Sequence, residues 1–122
     1  MSDEPAASSI FFVPTPIGNL ADITLRGIET LKTVDLIACE DTRHSRKLLR
    51  HYEIDKSLIS LHDHNESRKI PEIIAKAQRG ERIAVISDAG TPCLSDPGYR
   101  LLRACIEHSV AYEVLPGPSA IT

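Results

Sequence analysis

Three loops rich in glycine and proline hold the residues best placed to do chemistry in this sequence. They read Pro14-Thr15-Pro16-Ile17-Gly18-Asn19, then Asp88-Ala89-Gly90-Thr91-Pro92-Cys93-Leu94-Ser95-Asp96-Pro97-Gly98, then Pro116-Gly117-Pro118-Ser119-Ala120. Proline fixes φ, while glycine permits positive φ and close backbone approach. Such loops are stiff and present backbone N–H and C=O groups to a ligand. The middle loop spends two Asp, two Gly and two Pro on eleven residues, more than a connection requires. None of the three carries a Lys, and no Gly-x-Gly-x-x-Gly occurs. Both absences argue against a Walker-type phosphate cradle and a dinucleotide site. Uncharged backbone with few acids suits a ligand that is weakly cationic or carries an adenosine.

A second constellation is Glu40-Asp41-Thr42-Arg43-His44-Ser45-Arg46-Lys47-Leu48-Leu49-Arg50. On a helix, Ser45, Leu48 and Leu49 face inward, which leaves Arg43, Arg46, Lys47 and Arg50 outward. A basic face beside a ligand cleft suits a phosphate backbone, though the same pattern also describes a solvated helix face. The third is His62-Asp63-His64-Asn65-Glu66. On a strand end His62 and His64 share one side, as a two-His metal site requires. No third protein ligand is identifiable, and Asn65 equally suits a helix cap, so no metal is expected. Cys93 lacks a His placed in sequence to activate it as a nucleophile.

These residues are positioned by short apolar strands alternating with helical segments. Strands are predicted at Ile10–Val13, Leu36–Cys39, Leu58–Leu61, Ile83–Ile86 and Tyr112–Leu115. The first helix carries an inward stripe of Leu25, Ile28 and Leu31, capped by Thr24 or Asp22. The second is capped by Asp41-Thr42 and turns Ser45, Leu48, Leu49 and Tyr52 inward. Asn65 opens the third, with Ile70, Ile73, Ile74 and Ala77 inward and Gly80 past its end. Pro71 fits there only within the first turn or so. Leu101, Leu102, Cys105 and Ile106 form the inner face of the fourth. The order βαβαβαβαβ predicts an α/β fold with a five-stranded, mainly parallel sheet flanked by helices and buried on both faces. Ligands of such sheets sit beyond the carboxyl ends of the strands. If all three glycine and proline loops serve one site, the first, fourth and fifth strands must be neighbours, and strand order departs from chain order.

At 122 residues the chain has room for one domain, and its 42% hydrophobic and 25% charged content supports a core. A net charge of -3 excludes a generally basic nucleic-acid coat but leaves a local basic patch open. With 4% aromatics and no Trp, a base-stacking platform is not expected. Three cysteines at wide spacing form neither a disulfide framework nor a zinc finger. No apolar run approaches the roughly 20 residues of a membrane span, and Met1 to Ser9 lacks the features of a signal peptide. A cytoplasmic protein without membrane attachment is expected.

Phe12 to Thr24, Glu40-Asp41-Thr42-Arg43, His62 to Glu66, and Ser87 to Pro92 through Ser95-Asp96-Pro97-Gly98 together resemble the RsmI family. Its members are bacterial 16S rRNA (cytidine-2′-O)-methyltransferases of the tetrapyrrole methylase superfamily, the class III enzymes that use S-adenosylmethionine. The likeness runs from about Ile10 to Thr122, with its motifs in order. It implies a two-domain enzyme holding S-adenosyl-L-methionine between lobes. On that reading residues 1–9 are a flexible tail, residues 10–122 are the N-terminal lobe, and the C-terminal lobe lies outside this chain. The family sheet places the first strand between the fourth and fifth.

Carried over by motif, Pro16, Ile17, Asp88, Gly90, Thr91, Pro92, Ser119 and Ala120 line the cofactor site. Arg43, Arg46, Lys47 and Arg50 hold RNA, the partner being 16S rRNA in the small ribosomal subunit. The resemblance leaves room for a homodimer. No catalytic residue is assigned, and Glu40, Asp41 and His44 are candidates by position and residue type only. Two other readings stand beside this one. A related enzyme would methylate a tetrapyrrole or a protein side chain, and a non-catalytic RNA-binding module would bind no cofactor.

Overall fold

The computed structural model describes residues 8–15, 23–87 and 98–116. Strand and helix alternate without exception through these residues. They form β1 (Ile10–Pro14), α1 (Leu25–Thr33), β2 (Leu36–Cys39), α2 (Thr42–His51), β3 (Ser57–Ser60), α3 (Glu66–Gln78), β4 (Ile83–Ser87), α4 (Gly98–Glu107) and β5 (Tyr112–Val114). The five strands pair in the order β3-β2-β4-β1-β5, every pair parallel. The first strand lies between the fourth and fifth, as the resemblance implied, so the three strands followed by glycine and proline loops are neighbours.

The chain steps from β1 to β2 to β3 in one direction across the sheet, then returns through β4 to β5 in the other. With right-handed crossovers, that reversal moves the connecting helices from one face to the other. The core divides accordingly. Ile10, Phe12, Ile83 and Val85 point to the face covered by Ile73, Ile74 and Ala77 of α3 and by Leu101 and Cys105 of α4. Phe11, Val13, Ala84 and Ile86 point to the face covered by Leu31 of α1 and by Leu48 and Leu49 of α2. Burying each large apolar side chain contributes about 1.5–3 kcal/mol, so both faces of the central strands drive assembly.

The outer elements depart from the expectation of strands buried on both faces. β3 and β5 are the edges, and Ser57, Tyr112 and Val114 are exposed because only one neighbouring strand flanks them. Leu25, expected on the inner stripe of α1, is 79% exposed. It is the first residue of its helix, turned well away from the side that buries Gly27 and Leu31. Ile106 of α4 is likewise exposed while Leu101 and Cys105 are buried. β3 begins one residue earlier than predicted, and Leu61 follows it with its N–H donating to the Cys39 carbonyl at 2.8 Å. The expected tail lies outside the described residues except for Ser8 and Ser9. The Ser9 N–H donates to Ala111, and its carbonyl accepts from Ile83.

Pro71 sits in the second turn of α3, deeper than the first-turn position expected of it. Its ring removes the N–H that would bond the carbonyl four residues back. Burial of Ile73, Ile74 and Ala77 on the same helix outweighs that loss. Gly80 ends the segment with φ +95°, a conformation glycine adopts without strain.

Candidate functional site

Register fixes where the three glycine and proline loops attach. Pro14 at the end of β1 pairs with Ser87 at the end of β4, and Phe12 pairs with Val114 at the end of β5. The Leu115 N–H donates to the Phe12 carbonyl at 3.0 Å, extending that pairing to the point where the last loop leaves. The carboxyl ends of β4, β1 and β5 are therefore side by side. Because α1 and α4 lie on opposite faces, the connections leaving β1 and β4 go to opposite sides of the sheet. Adjacent parallel strands with opposed connections open a crevice at their carboxyl ends, where such folds bind ligands. The residues expected to line it, Pro16, Ile17, Asp88, Gly90, Thr91, Pro92, Ser119 and Ala120, lie outside the described residues, as does Cys93. Thr15 is buried at its margin.

β2 lies on the far side of β4, and its connection also leaves to the face opposite α4. Glu40 and Asp41 thus stand at the same edge of the sheet. Asp41 is the N-cap of α2, its Oδ1 accepting from the N–H groups of Arg43 at 3.0 Å and His44 at 3.4 Å. That bonding accounts for the choice of Asp at this position, since the first turn of a helix leaves N–H groups without partners. Glu40 and His44 are exposed beside it. The three proton-acceptor candidates are therefore grouped at the mouth of α2.

Arg43, Arg46, Lys47 and Arg50 are all exposed, opposite the buried Ser45, Leu48 and Leu49. None of the four forms an ion pair among the described residues. Other surface cations do, including Arg26 with Glu113, Arg79 with Glu81 and Arg103 with Glu107. A hollow of about 330 Å³ lies along this helix, lined by Asp41, Arg43, His44 and Lys47.

The segment around His62 serves structure in a way the cap reading only partly anticipated. Asn65 is the N-cap of α3 by position, yet its side chain makes no capping bond. Instead Oδ1 accepts from the His62 N–H at 2.9 Å, and Nδ2 donates to the Ser60 carbonyl at 2.9 Å. His62 Nδ1 accepts the His64 N–H at 3.1 Å, which occupies that ring nitrogen. Among the described residues, no group of three His, Cys, Asp or Glu side chains is gathered as metal ligands would be.

Glu66 closes the same segment. It is buried at the start of α3, pairs through Oε1 with Arg100 of α4, and leaves Oε2 without a hydrogen-bond partner. An acid in the first turn of a helix reads simply as favourable to the helix dipole, so the sequence gives no sign of its burial. Of the cysteines, Cys39 and Cys105 are buried, and the Cys39 thiol donates to the Ile59 carbonyl at 3.8 Å. Burial pushes the Cys105 thiol up to about 11, which makes it unreactive near neutrality.

The model of the Tetrapyrrole (Corrin/Porphyrin) Methylases family matches residues 9–122. The chain belongs to this family. It is 53% identical over 119 residues to the Ribosomal RNA small subunit methyltransferase I of Escherichia coli O157:H7, covering 98% of this chain and 42% of that protein. The protein of the same name from Haemophilus influenzae is 54% identical over 111 residues, covering 91% and 39%. The chain thus spans about two-fifths of the length of these relatives. Solved structures share the fold at lower identity. Uroporphyrin-III-C-methyltransferase from Thermus thermophilus superposes with a TM-score of 0.70 at 18% identity, over 88% of this chain and 46% of that one. Diphthine synthase does so with 0.73 at 15%, over 91% and 45%. Among the described residues no helix is long and apolar enough to cross a membrane.

Proposed function

We propose that this chain is the cofactor-binding N-terminal lobe of a cytoplasmic, S-adenosylmethionine-dependent methyltransferase that modifies a cytidine 2′-hydroxyl of small-subunit rRNA. The reading is supported by the adjacency of β4, β1 and β5, whose carboxyl ends lead into the three glycine- and proline-rich segments. Identity above 50% to proteins named as small-subunit rRNA methyltransferases supports the substrate class. The donor set suits the cofactor, because these loops offer backbone amides and carbonyls rather than a cationic phosphate cradle. Bound there, S-adenosylmethionine would supply an activated methyl group.

Pro16, Ile17, Asp88, Gly90, Thr91, Pro92, Ser119 and Ala120 would hold that cofactor. Arg43, Arg46, Lys47 and Arg50 would hold RNA phosphates along α2, which starts at the same edge of the sheet. The chain contributes mainly orientation and exclusion of water, which suffice for large accelerations of group transfer. The partner is 16S rRNA in the small ribosomal subunit, with a C-terminal lobe of the same polypeptide completing the cleft.

The test is methyl transfer by the full-length enzyme to 30S subunits, run beside calorimetric titration with S-adenosylmethionine. Asp88→Ala should weaken cofactor binding at least tenfold, and unchanged binding would remove Asp88 from the site. Methylation of a precorrin or of a protein in place of 30S subunits would overturn the substrate assignment. RNA binding without cofactor binding would leave only a binding module.

A further inference from the structure

A second hollow, of about 430 Å³, lies where the C-terminal half of α2 turns into β3. Its volume falls in the range of sites that hold a small organic ligand, about 300–1,000 Å³. Leu49, Ile54 and Leu58 give it an apolar floor. Arg46, Arg50 and Lys56 stand on its rim, and none of them forms an ion pair among the described residues. Glu53 and Asp55 add carboxylates to the same rim. The turn that shapes this wall is specific. The Glu53 N–H donates to the Arg50 carbonyl at 3.1 Å and the Ile54 N–H to Leu49 at 2.8 Å, with Glu53 at φ 57°.

An apolar floor, cations and carboxylate acceptors around one cavity match the base face, the phosphates and the exocyclic amino group of a nucleotide. We infer that this hollow receives one unpaired nucleotide of the RNA substrate, away from the methyl-transfer crevice. The base lies against Leu49, Ile54 and Leu58. Its flanking phosphates meet Arg46, Arg50 and Lys56. Glu53 or Asp55 accepts from an exocyclic amino group, as carboxylates do from cytosine N4. Uracil has no such group and is disfavoured. The three cations outnumber the two carboxylates on the rim, so a polyanion with an apolar face suits it, and RNA is the better match. Arg46 and Arg50 lie one turn apart on the face that also carries Arg43 and Lys47, so the strand continues along α2 from this hollow toward the sheet edge. The inference rests on RNA being the substrate but not on which nucleotide is methylated.

Fluorescence anisotropy of the full-length protein with short single-stranded oligocytidine and oligouridine tests it. Oligocytidine should bind at least fivefold tighter. Arg50→Ala with Lys56→Ala should weaken binding of both at least tenfold. It should also reduce the log–log salt slope by about 1.4, the loss of two phosphate contacts on a single strand. Glu53→Gly with Asp55→Ala, which removes both acceptors while glycine tolerates the positive φ, should bring the two oligomers within twofold without changing the slope. S-adenosylmethionine affinity of each variant reports that it remains folded. Unchanged RNA affinity in the double variant, or equal binding of the two oligomers by the parent, would overturn the inference. Failure of the parent to methylate 30S subunits while it still prefers oligocytidine would count against the proposed activity and leave the hollow standing.

Discussion

Arg100 of α4 is ion-paired with Glu66 at the start of α3, and this contact ties together two helices on one face of the sheet, near the carboxyl ends of its strands. Glu66 is buried while Arg100 is mostly exposed, so the two partners are not equivalent. Removing Arg100 leaves a buried carboxylate without its charge partner, and Arg100→Ala should cost about 1–3 kcal/mol in urea unfolding. Adding Glu66→Gln to Arg100→Ala removes the buried charge and should recover part of that loss. A double variant less stable than Arg100→Ala alone would show that the carboxylate has another essential role.

Asp41 separates a structural role from a catalytic one. Asp41→Ala should destabilise the protein by about 1 kcal/mol through loss of the α2 cap. Asp41→Asn retains the capping oxygen and should keep both stability and methyl transfer within about threefold. A hundredfold loss of rate in the Asn variant, at unchanged stability, would assign Asp41 to proton removal.

Pro71→Ala restores a backbone donor inside α3 at an exposed position. The midpoint of urea unfolding should rise, corresponding to about 1–2 kcal/mol. A lower midpoint would mean that the ring makes contacts its exposure does not suggest.

Cys105 predicts a dependence at high pH. Its thiol is raised from the ordinary 9.0 to about 11 by burial. The folded state therefore holds the proton more tightly than the unfolded state. Its stabilising contribution is complete below pH 9 and is lost as pH rises from 9 to 11. Cys105→Ala should flatten stability over that window relative to the parent, while costing about 1 kcal/mol or more at pH 7 from the cavity. A disulfide-exchange reagent at pH 8 should leave Cys105 unmodified until denaturant is added.

The central strands were readable because each is buried on both faces and appears as an unbroken apolar run. Thr24 and Asp41 were readable as caps because helix starts select side-chain acceptors. The edges were not, since exposure of Tyr112 and Val114 follows from β5 having only one neighbour, a property of strand order rather than of local composition. Leu25 and Ile106 matched a helical period but lie where their helices turn beyond the layer they cover. Glu66 and Arg100 lie on different helices, and no spacing rule connects them. The hollow below α2 escaped notice for a related reason. Its cations were visible as a basic run, but the turn at Glu53 that brings Lys56 alongside them is a conformational fact.

The place of β1 also sets an order of events during synthesis. Its two neighbours, β4 and β5, are the last strands of this sheet to be made. Ile10 and Phe12 must wait roughly 70 residues for Ile83 and Val85, a long separation of the kind that slows folding. Until then β2 and β3 can pair with each other, but β1, a future centre strand of the sheet, is an unpaired apolar segment. The strand that anchors the finished crevice is thus the one most exposed to mispairing on the ribosome.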